Sequence, residues 1–259
     1  MSTAANLVEV FSSVQGEGLH VGATTLFVRF GECDLRCRWC DSPQTWRPAR
    51  RCRVETPRGS GRFEERENPV PLDDVVALAR ALGVERHRFV SLTGGEPLLQ
   101  PDAVRGLAER LRPLGPRIHL ETHGLALEAL ERVVDAVDVV AMDWKLASDV
   151  RRAHAPRGSE PEAFHATHTG FLRIAARAPE RVVKVVVTND TRDEELDAMA
   201  RAIASVDPAT PLVVQPVTPF AAVREPVPAA RLLDHVFRLS RSLLDVRLIP
   251  QTHKAYGAL

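Results

Sequence analysis

Short runs of apolar and β-branched residues alternate along this chain with longer segments in which apolar residues recur every three or four positions. The short runs predict buried β-strands, because strands that are covered on both faces are almost continuously apolar. Seven such runs occur, at Thr24–Phe30 and at residues 89–92, 118–121, 137–142, 182–187, 212–217 and 246–249.

The segments between these runs predict amphipathic helices, since residues three or four apart share one helical face. Four apolar faces can be traced: Leu72, Val75, Val76, Ala79 and Leu82; Val104, Leu107, Ala108 and Leu111; Leu196, Met199 and Ile203; and Leu232, Leu233, Val236, Phe237 and Leu243. Thr191, followed three positions later by Glu194, predicts a capping box at the start of the third helix.

The repeated alternation of strand and helix indicates an α/β fold with a parallel sheet covered by helices. The strands can close into a partial barrel or lie in an open sheet, and the periodicity does not separate these two. In both arrangements ligands bind at the C-terminal ends of the strands, so functional motifs are expected there. The length of 259 residues suits a single domain, residues 1–259.

One segment interrupts the alternation. Residues 47–69 contain seven arginines, four glutamates, three prolines and a Gly-Ser-Gly turn. This composition predicts a solvated loop or an exposed hairpin inserted into the domain. The alternative is an electrostatic lip for an anionic ligand or partner.

The overall composition argues against several classes of protein. The formal net charge is zero, whereas nucleic-acid-binding proteins usually carry a basic excess, so no nucleic-acid partner is expected. The longest apolar runs are too short to cross a bilayer. The N-terminus lacks the basic and apolar stretches of a secretory signal. We therefore expect a cytoplasmic protein without membrane association.

Three of the four cysteines lie in one eight-residue stretch, Cys33-Asp-Leu-Arg-Cys37-Arg-Trp-Cys40. Thiolates are the usual ligands of iron–sulfur clusters. Three cysteines leave one iron of a [4Fe–4S] cluster open, and catalytic metal sites keep such a position, whereas structural sites close it. The spacing therefore predicts a cluster that binds a ligand at its fourth iron. Two alternatives stay open: Cys52 completes a four-cysteine zinc site, or the cysteines are plain thiols.

The cysteine stretch, with Trp39 before its last cysteine, follows the first predicted strand, and Thr93-Gly94-Gly95-Glu96-Pro97 follows the second. Together these motifs resemble the radical S-adenosylmethionine (SAM) superfamily. The resemblance implies an incomplete parallel β/α barrel in which SAM chelates the open iron. One-electron reduction then cleaves SAM and yields a 5′-deoxyadenosyl radical. Glycines at a strand end agree with this, because they let the backbone approach a ligand closely.

Further segments are similar to the 7-carboxy-7-deazaguanine synthases of that superfamily. They are residues 10–18 (VFSSVQGEG), 143–146 (DWKL), 171–175 (FLRIA), 215–216 (QP) and 250–254 (PQTHK). The resemblance implies a lyase that converts 6-carboxy-5,6,7,8-tetrahydropterin to 7-carboxy-7-deazaguanine with release of ammonia. This reaction belongs to queuosine-type 7-deazapurine biosynthesis and is assisted by Mg²⁺.

Candidate substrate contacts follow from this resemblance. Arg29 lies in an otherwise apolar strand, where an unpaired guanidinium would be costly, and its forked donors suit a substrate carboxylate. A buried ion pair with a protein acid is the alternative. Gln15 and Glu17 carry groups that suit the amino-pyrimidinone edge of a pterin. The full set implied at the substrate is Val14, Gln15, Gly16, Glu17, Arg29, Thr93, His253 and Leu259.

The resemblance also implies contacts to the cofactors. The set implied at SAM is Trp39, Asp41, Gly95, Asp143, Trp144, Lys145 and Gln215. Ser42 matches a magnesium ligand, and Mg²⁺ prefers oxygen, although a serine there also suits a helix N-cap. Lys145 equally suits an exposed surface. Other histidines, including His119 and His123, are expected to be structural or exposed.

Partners are implied in the same way: a small pterin substrate, an electron donor such as flavodoxin or ferredoxin, and a second copy of the chain in a homodimer. Two other functions remain as alternatives. A different small radical SAM enzyme, such as a glycyl-radical activase, would need a surface for a protein substrate, whereas Arg29 with Gln15 and Glu17 favours a small anionic heterocycle. A zinc-binding scaffold protein would need Cys52 as a metal ligand.

Overall fold

The structure, a computed structural model, describes residues 3–156, 158–220, 222–255 and 257–258. The strands in these residues are β1 (Ala4–Ala5), β2 (Leu7–Val14), β3 (Thr24–Phe30), β4 (Leu35–Cys37), β5 (Arg51–Glu55), β6 (Phe63–Glu67), β7 (Val70–Pro71), β8 (Phe89–Gly94), β9 (Arg117–Thr122), β10 (Val139–Asp143), β11 (Val150–Arg152), β12 (Glu180–Val187), β13 (Leu212–Pro216) and β14 (Val246–Leu248). The α-helices are α1 (Leu72–Ala81), α2 (Pro101–Leu111), α3 (Leu127–Val133), α4 (His165–Ala175), α5 (Asp193–Val206) and α6 (Ala229–Leu239).

Ten strands form one sheet in the order β14-β13-β12-β10-β9-β8-β3-β2-β5-β6. The seven strands from β3 to β14 are parallel, and they are the seven predicted apolar runs. Within the described ranges the two edge strands β6 and β14 are not paired with each other. The fold is therefore α/β, with an incomplete parallel β/α barrel, as the resemblance implied.

Strand β2 and the Arg-rich segment extend the barrel on one side. Strand β2 was not predicted, and it pairs antiparallel with β3. Residues 47–69 contain a hairpin, in which β5 and β6 pair antiparallel, and β5 also pairs with β2 and buries Cys52, Val54 and Glu55.

The four predicted helices are present as α1, α2, α5 and α6, whereas α3 and α4 were not predicted. The predicted capping box is wrong, because the hydroxyl of Thr191 accepts a hydrogen bond from the N–H of Thr188 (2.8 Å) instead of capping α5. Leu233 and Phe237 of α6 are 51% and 68% exposed, so these two residues of the predicted apolar face are not buried. No helix of the described chain has the length and apolar character needed to cross a membrane.

A second, two-stranded sheet holds the cysteine stretch against the barrel. β4 pairs antiparallel with β11, and Val150 is the partner of Cys37. The buried side chains of Leu35, Val150 and Phe164 pack beneath this sheet. The cysteine loop is therefore fixed above the C-terminal ends of the parallel strands.

Candidate functional site

A single cavity at the C-terminal ends of the strands gathers most of the predicted site residues. Those that line it are Gln15, Glu17, Arg29, Cys33, Cys37, Trp39, Cys40, Asp41, Ser42, Thr93, Gly95, Asp143, Lys145 and Gln215. They come from segments up to 200 residues apart in sequence, from Gln15 to Gln215, so the parallel sheet brings them together, as expected for strand ends of this fold.

The three clustered cysteines face this cavity and are half-buried. Burial raises the pKa of Cys33 to about 12 and that of Cys37 to about 11. Both are thiols in the free protein, and a bound metal must displace their protons. Cys52 lies in the core on β5 and does not line the cavity. This position does not support a zinc site completed by Cys52, and the three-thiol set fits a cluster with one open iron.

Two glycines bring the end of β8 against the cysteine loop. Gly94 has a φ of +131°, which disfavours residues with a side chain. A Cβ on Gly95 would lie 2.1 Å from the carbonyl oxygen of Glu32. The N–H of Glu96 donates to that same carbonyl at 2.8 Å. The Gly-Gly pair is therefore required for this close backbone contact.

Glu96, the acid that follows the two glycines, organises the neighbouring strand end and does not line the cavity. It is fully buried, and it accepts hydrogen bonds from the N–H of Leu98 (2.9 Å), the hydroxyl of Thr122 (2.8 Å) and the N–H of His123 (2.8 Å). His123 Nε2 in turn lies 2.8 Å from Oδ1 of Asp34, beside Cys33. Burial alone would raise the pKa of Asp34, but the contact with His123 lowers it. Glu96 and His123 thus tie the strand ends to the cysteine loop.

Glu121 is the centre of a hydrogen-bond cluster on the wall of the cavity. It accepts from Nε2 of Gln15 (2.8 Å), the hydroxyl of Ser91 (2.6 Å) and the hydroxyl of Thr93 (3.1 Å). Burial would raise the pKa of Glu121, but His119 and then Lys184 outweigh it, and the pKa is lowered. The carboxylate therefore orients two of the predicted substrate contacts, Gln15 and Thr93.

Lys184 connects residues that the resemblance assigns to different ligands. Its ammonium contacts Oε2 of Glu17 and lies 3.1 Å from Oδ1 of Asp143. Asp143 Oδ2 lies 2.6 Å from Nζ of Lys145, which in turn lies 4.7 Å from the ring centroid of Trp39. Burial lowers the pKa of both lysines, but the carboxylates outweigh it, so the pKa of each is raised. Both ammonium groups are charged, and Lys145 is buried rather than exposed.

The chain contains three lysines against 31 arginines, and all three lysines line this cavity. Lys254, the third, lies 3.4 Å from Oδ2 of Asp41. An ammonium is a compact charge that can approach several carboxylates, whereas a guanidinium is planar and longer. The cavity therefore uses a type of cation that the rest of the protein does not.

Arg29 is held by an internal ion pair and also lines the cavity. Its Nε donates to Oε1 of Glu9 at 2.8 Å, so the ion-pair alternative is correct for that edge of the guanidinium. Within the described chain its two terminal nitrogens have no hydrogen-bond partner, and a carboxylate can bind there.

The C-terminal segment closes over the loop of residues 15–17. A Cβ on Gly16 would lie 2.0 Å from Nδ1 of His253, so the imidazole packs directly on this glycine. Gln251 Nε2 donates to Glu17 (2.6 Å) and to Asp41 (3.2 Å). Burial would raise the pKa of Asp41, but Gln251 and Lys254 lower it.

Several predicted residues lie elsewhere. Trp144 is buried in the core, where Nε1 donates to Nδ1 of His165 (3.1 Å), and its side chain does not reach the cavity. Val14, Gly16 and His253 are near the cavity but do not line it. Leu259 lies outside the described residues.

Ser42 lines the cavity and precedes the short 3₁₀ helix Pro43–Trp46. Its hydroxyl makes no capping bond and donates to Oδ1 of Asp41 at 3.1 Å. Ser42 therefore occupies the N-cap position of this helix, as the alternative predicted, but its side chain does not cap the helix.

Two buried polar atoms on the cavity wall lack a hydrogen-bond partner among the described residues. They are the indole Nε1 of Trp39 and the amide Oε1 of Gln215. Buried polar groups are nearly always paired, so an orphaned donor and acceptor on one cavity indicate a polar ligand. The two residues fit the predicted SAM contacts.

Sequence reasoning missed Lys184, His123 and Trp46 as cavity residues. Lys184 carried a usable signal, because a lysine in the run 182–187 (VVKVVV) is rare in a buried strand unless it is paired. His123 and Trp46 carried no signal that a single sequence can separate from a structural role.

Comparison with known proteins places this cavity in a family context. The Radical SAM superfamily pattern matches residues 28–169. The 7-carboxy-7-deazaguanine synthase of Geobacter sulfurreducens is 38% identical, with 98% of each chain covered. The enzyme of that name from Thermococcus kodakarensis is 33% identical, with 98% of each chain covered. The crystal structure of QueE from Escherichia coli superposes with a TM-score of 0.61 at 20% identity, covering 97% of this chain and 96% of that one.

Proposed function

The chain belongs to the 7-carboxy-7-deazaguanine synthases of the radical SAM superfamily, and on that basis we propose which of its residues perform each part of the reaction. The enzyme is a lyase that converts 6-carboxy-5,6,7,8-tetrahydropterin to 7-carboxy-7-deazaguanine and ammonia. When bound, the [4Fe–4S] cluster and SAM would supply the one-electron radical chemistry that the reaction needs. The protein supplies binding, orientation and charge. Residues 1–259 would form one domain, and this is supported by the ten-stranded sheet, whose strands come from Leu7 at one end of the chain to Leu248 at the other.

Cys33, Cys37 and Cys40 would hold the cluster, since all three thiols face one cavity and Cys52 does not. The backbone contact between Gly95 and Glu32 positions the loop that carries them.

SAM would bind beside this loop. Trp39 and Gln215 have unpaired polar atoms to offer it. Asp143 and Lys145 form a buried ion pair that can receive its amino and carboxylate groups. Gly95 and Asp41 line the same part of the wall. The core position of Trp144 limits its part to fixing its neighbours Asp143 and Lys145.

The pterin would bind between Arg29 and the Glu121 cluster. Arg29, fixed by Glu9 through Nε, would take the substrate carboxylate with its terminal nitrogens. Glu17 is held by Lys184 and Gln251, and Gln15 and Thr93 are held by Glu121, so these groups are oriented before substrate arrives. Preorganised groups lose little entropy on binding.

Other features complete the proposal. Ser42, with its hydroxyl on the cavity, would supply an oxygen ligand to Mg²⁺. His253 and Gly16 would shape the substrate end of the cavity through their direct packing. We further propose a cytoplasmic homodimer that receives electrons from a flavodoxin or ferredoxin.

The observation that carries the proposal is the shared cavity: cluster cysteines, orphaned polar groups and a carboxylate-binding arginine line one space. The test compares Arg29→Met with Arg53→Met, an exposed arginine whose guanidinium also contacts Glu9, at 3.7 Å. We expect Arg29→Met to raise the KM for the pterin at least tenfold while SAM binding, measured by equilibrium dialysis, stays unchanged. An equal KM in the two variants would contradict the assignment of Arg29.

A further inference from the structure

A side chain outside the predicted site donates a hydrogen bond to one of the cluster cysteines. Nε1 of Trp46 lies 3.3 Å from Sγ of Cys40. Trp46 ends the 3₁₀ helix Pro43–Trp46, whose first turn is closed by hydrogen bonds from the N–H and the hydroxyl of Thr45 to the carbonyl of Ser42. The indole is therefore aimed at the sulfur by a turn that directly follows the cysteine stretch.

A guanidinium is stacked on the same indole. Cζ of Arg36 lies 4.7 Å from the centroid of the Trp46 ring. One terminal nitrogen of Arg36 also donates to the carbonyls of Cys33 (2.9 Å) and Leu35 (2.7 Å). The cation is thus fixed within the cysteine loop, and its contact with the ring adds positive charge beside the N–H donor.

The indole N–H of Trp46 and the guanidinium of Arg36 both favour the more negatively charged state of a cluster bound by the cysteines. Reduction adds one negative charge to an iron–sulfur cluster, and hydrogen bonds to its sulfurs are one of the factors that set its reduction potential. An N–H donor strengthens as the charge on its acceptor grows. Trp46 and Arg36 therefore stabilise the reduced state more than the oxidised one.

Resting on the cluster assigned above, we propose that Trp46, held by Arg36, raises the reduction potential of this cluster and so favours the electron transfer that begins each turnover. One electron passes from a low-potential flavin or iron–sulfur protein to the oxidised cluster. No covalent bond of either side chain forms or breaks. Trp46 acts on the ligand Cys40 and is a positioning and tuning residue rather than a catalytic one.

The test is a redox titration of anaerobically reconstituted protein, followed by electron paramagnetic resonance. In Trp46→Phe the ratio of reduced to oxidised cluster at a fixed potential should fall about tenfold, which for one electron is ~59 mV. Arg36→Met, which keeps the indole, should shift the ratio in the same direction by about threefold. Arg66→Met is the matched control for Arg36→Met, because its guanidinium pairs with Glu64 on the exposed strand β6, and its midpoint potential should equal that of the unaltered protein.

The outcomes are distinguishable from failure of the proposed function. A protein that binds no cluster at all contradicts the cysteine assignment itself. A full complement of iron in Trp46→Phe with an unchanged midpoint potential overturns the tuning role. If Trp46→Phe fails to assemble a cluster, Arg36→Met decides, and an unchanged potential there overturns the proposal.

Discussion

Replacing Lys184 with methionine removes the positive charge that lies between two carboxylates of the cavity. The lost ammonium contacts Glu17 and lies 3.1 Å from Asp143. At that distance and an effective dielectric constant of about 20, the attraction to Asp143 alone is about 5 kcal/mol. The cost of desolvating the ammonium offsets part of it. Removing one partner of a buried ion pair typically costs about 3–5 kcal/mol, because a charge is left unpaired.

The loss of stability expected for Lys184→Met is smaller than this typical cost of breaking a buried ion pair. The side chains of Lys184, Glu17 and Asp143 are 16%, 21% and 23% exposed, so water screens them partly. Gln251 and Lys145 also remain as second partners of the two carboxylates. We therefore expect a loss of about 2–3 kcal/mol, or roughly 5–10 °C in the thermal midpoint for a chain of this size.

The assay is thermal unfolding by circular dichroism on the metal-free protein, with KM measured on the reconstituted enzyme. Since Glu17 loses the group that orients it, the KM for the pterin should rise about tenfold, equivalent to ~1.4 kcal/mol of binding. Lys254→Met is the matched control. Its ion pair with Asp41 is over one-third exposed and should contribute about 1 kcal/mol or less. A midpoint for Lys184→Met equal to that of Lys254→Met, with an unchanged KM, would refute the reasoning.

Three further results are expected. Gly95→Ala places a methyl group 2.1 Å from the Glu32 carbonyl oxygen, so the iron bound after reconstitution, measured colorimetrically, should fall several-fold. Glu96→Gln turns an acceptor into a donor that faces the N–H of His123, and this should cost about 1–3 kcal/mol in denaturant unfolding. Burial lowers the pKa of His168 to about 3, whereas it titrates near 6.5 when unfolded. Its stabilising contribution is therefore complete above about pH 6.5 and declines by up to ~1.4 kcal/mol per pH unit below it, so His168→Gln, which removes the titrating group, should flatten that decline.

Each of these expectations has a control. Gly170→Ala meets only the flexible end of Leu127, and equal iron content in the Gly95 and Gly170 variants would show that the contact at Glu32 is unimportant. Glu109→Gln alters an exposed ion pair on a helix and should leave the free energy of unfolding nearly unchanged. If Glu96→Gln lowers the free energy of unfolding no more than Glu109→Gln does, the buried hydrogen bonds of Glu96 do not stabilise the fold. For His168→Gln, the pH slope between about pH 6.5 and 5 must be shallower than in the unaltered protein.

The parallel strands could be predicted because burial on both faces makes them continuously apolar. Strand β2 escaped prediction, since Glu9, Ser12 and Ser13 interrupt its apolar residues and it joins the sheet antiparallel. Helix α4 escaped because two of its positions are histidines, of which His168 is fully buried. Polar residues in buried elements remove the periodic signal on which such predictions depend.

The motif residues of the site could be placed from the sequence, but the contacts between them could not. Lys184 meets Asp143 because β10 and β12 are paired in a register that sets these two residues side by side. Register between distant strands is a property of the folded sheet. Trp46 likewise reaches Cys40 only because a 3₁₀ turn follows the cysteine stretch. These contacts carry the proposed orientation of substrate groups and tuning of the cluster.

The central claim is that this one cavity, with a cluster on Cys33, Cys37 and Cys40, converts the carboxylated tetrahydropterin to 7-carboxy-7-deazaguanine. The direct measurement is mass spectrometry of an anaerobic reaction containing reconstituted protein, reductant, Mg²⁺, SAM and 6-carboxy-5,6,7,8-tetrahydropterin. The account predicts a product lighter than the substrate by one ammonia, formed by Cys52→Ala and absent with Cys37→Ala. Contradiction would be a protein that binds the cluster and cleaves SAM but leaves the pterin unchanged.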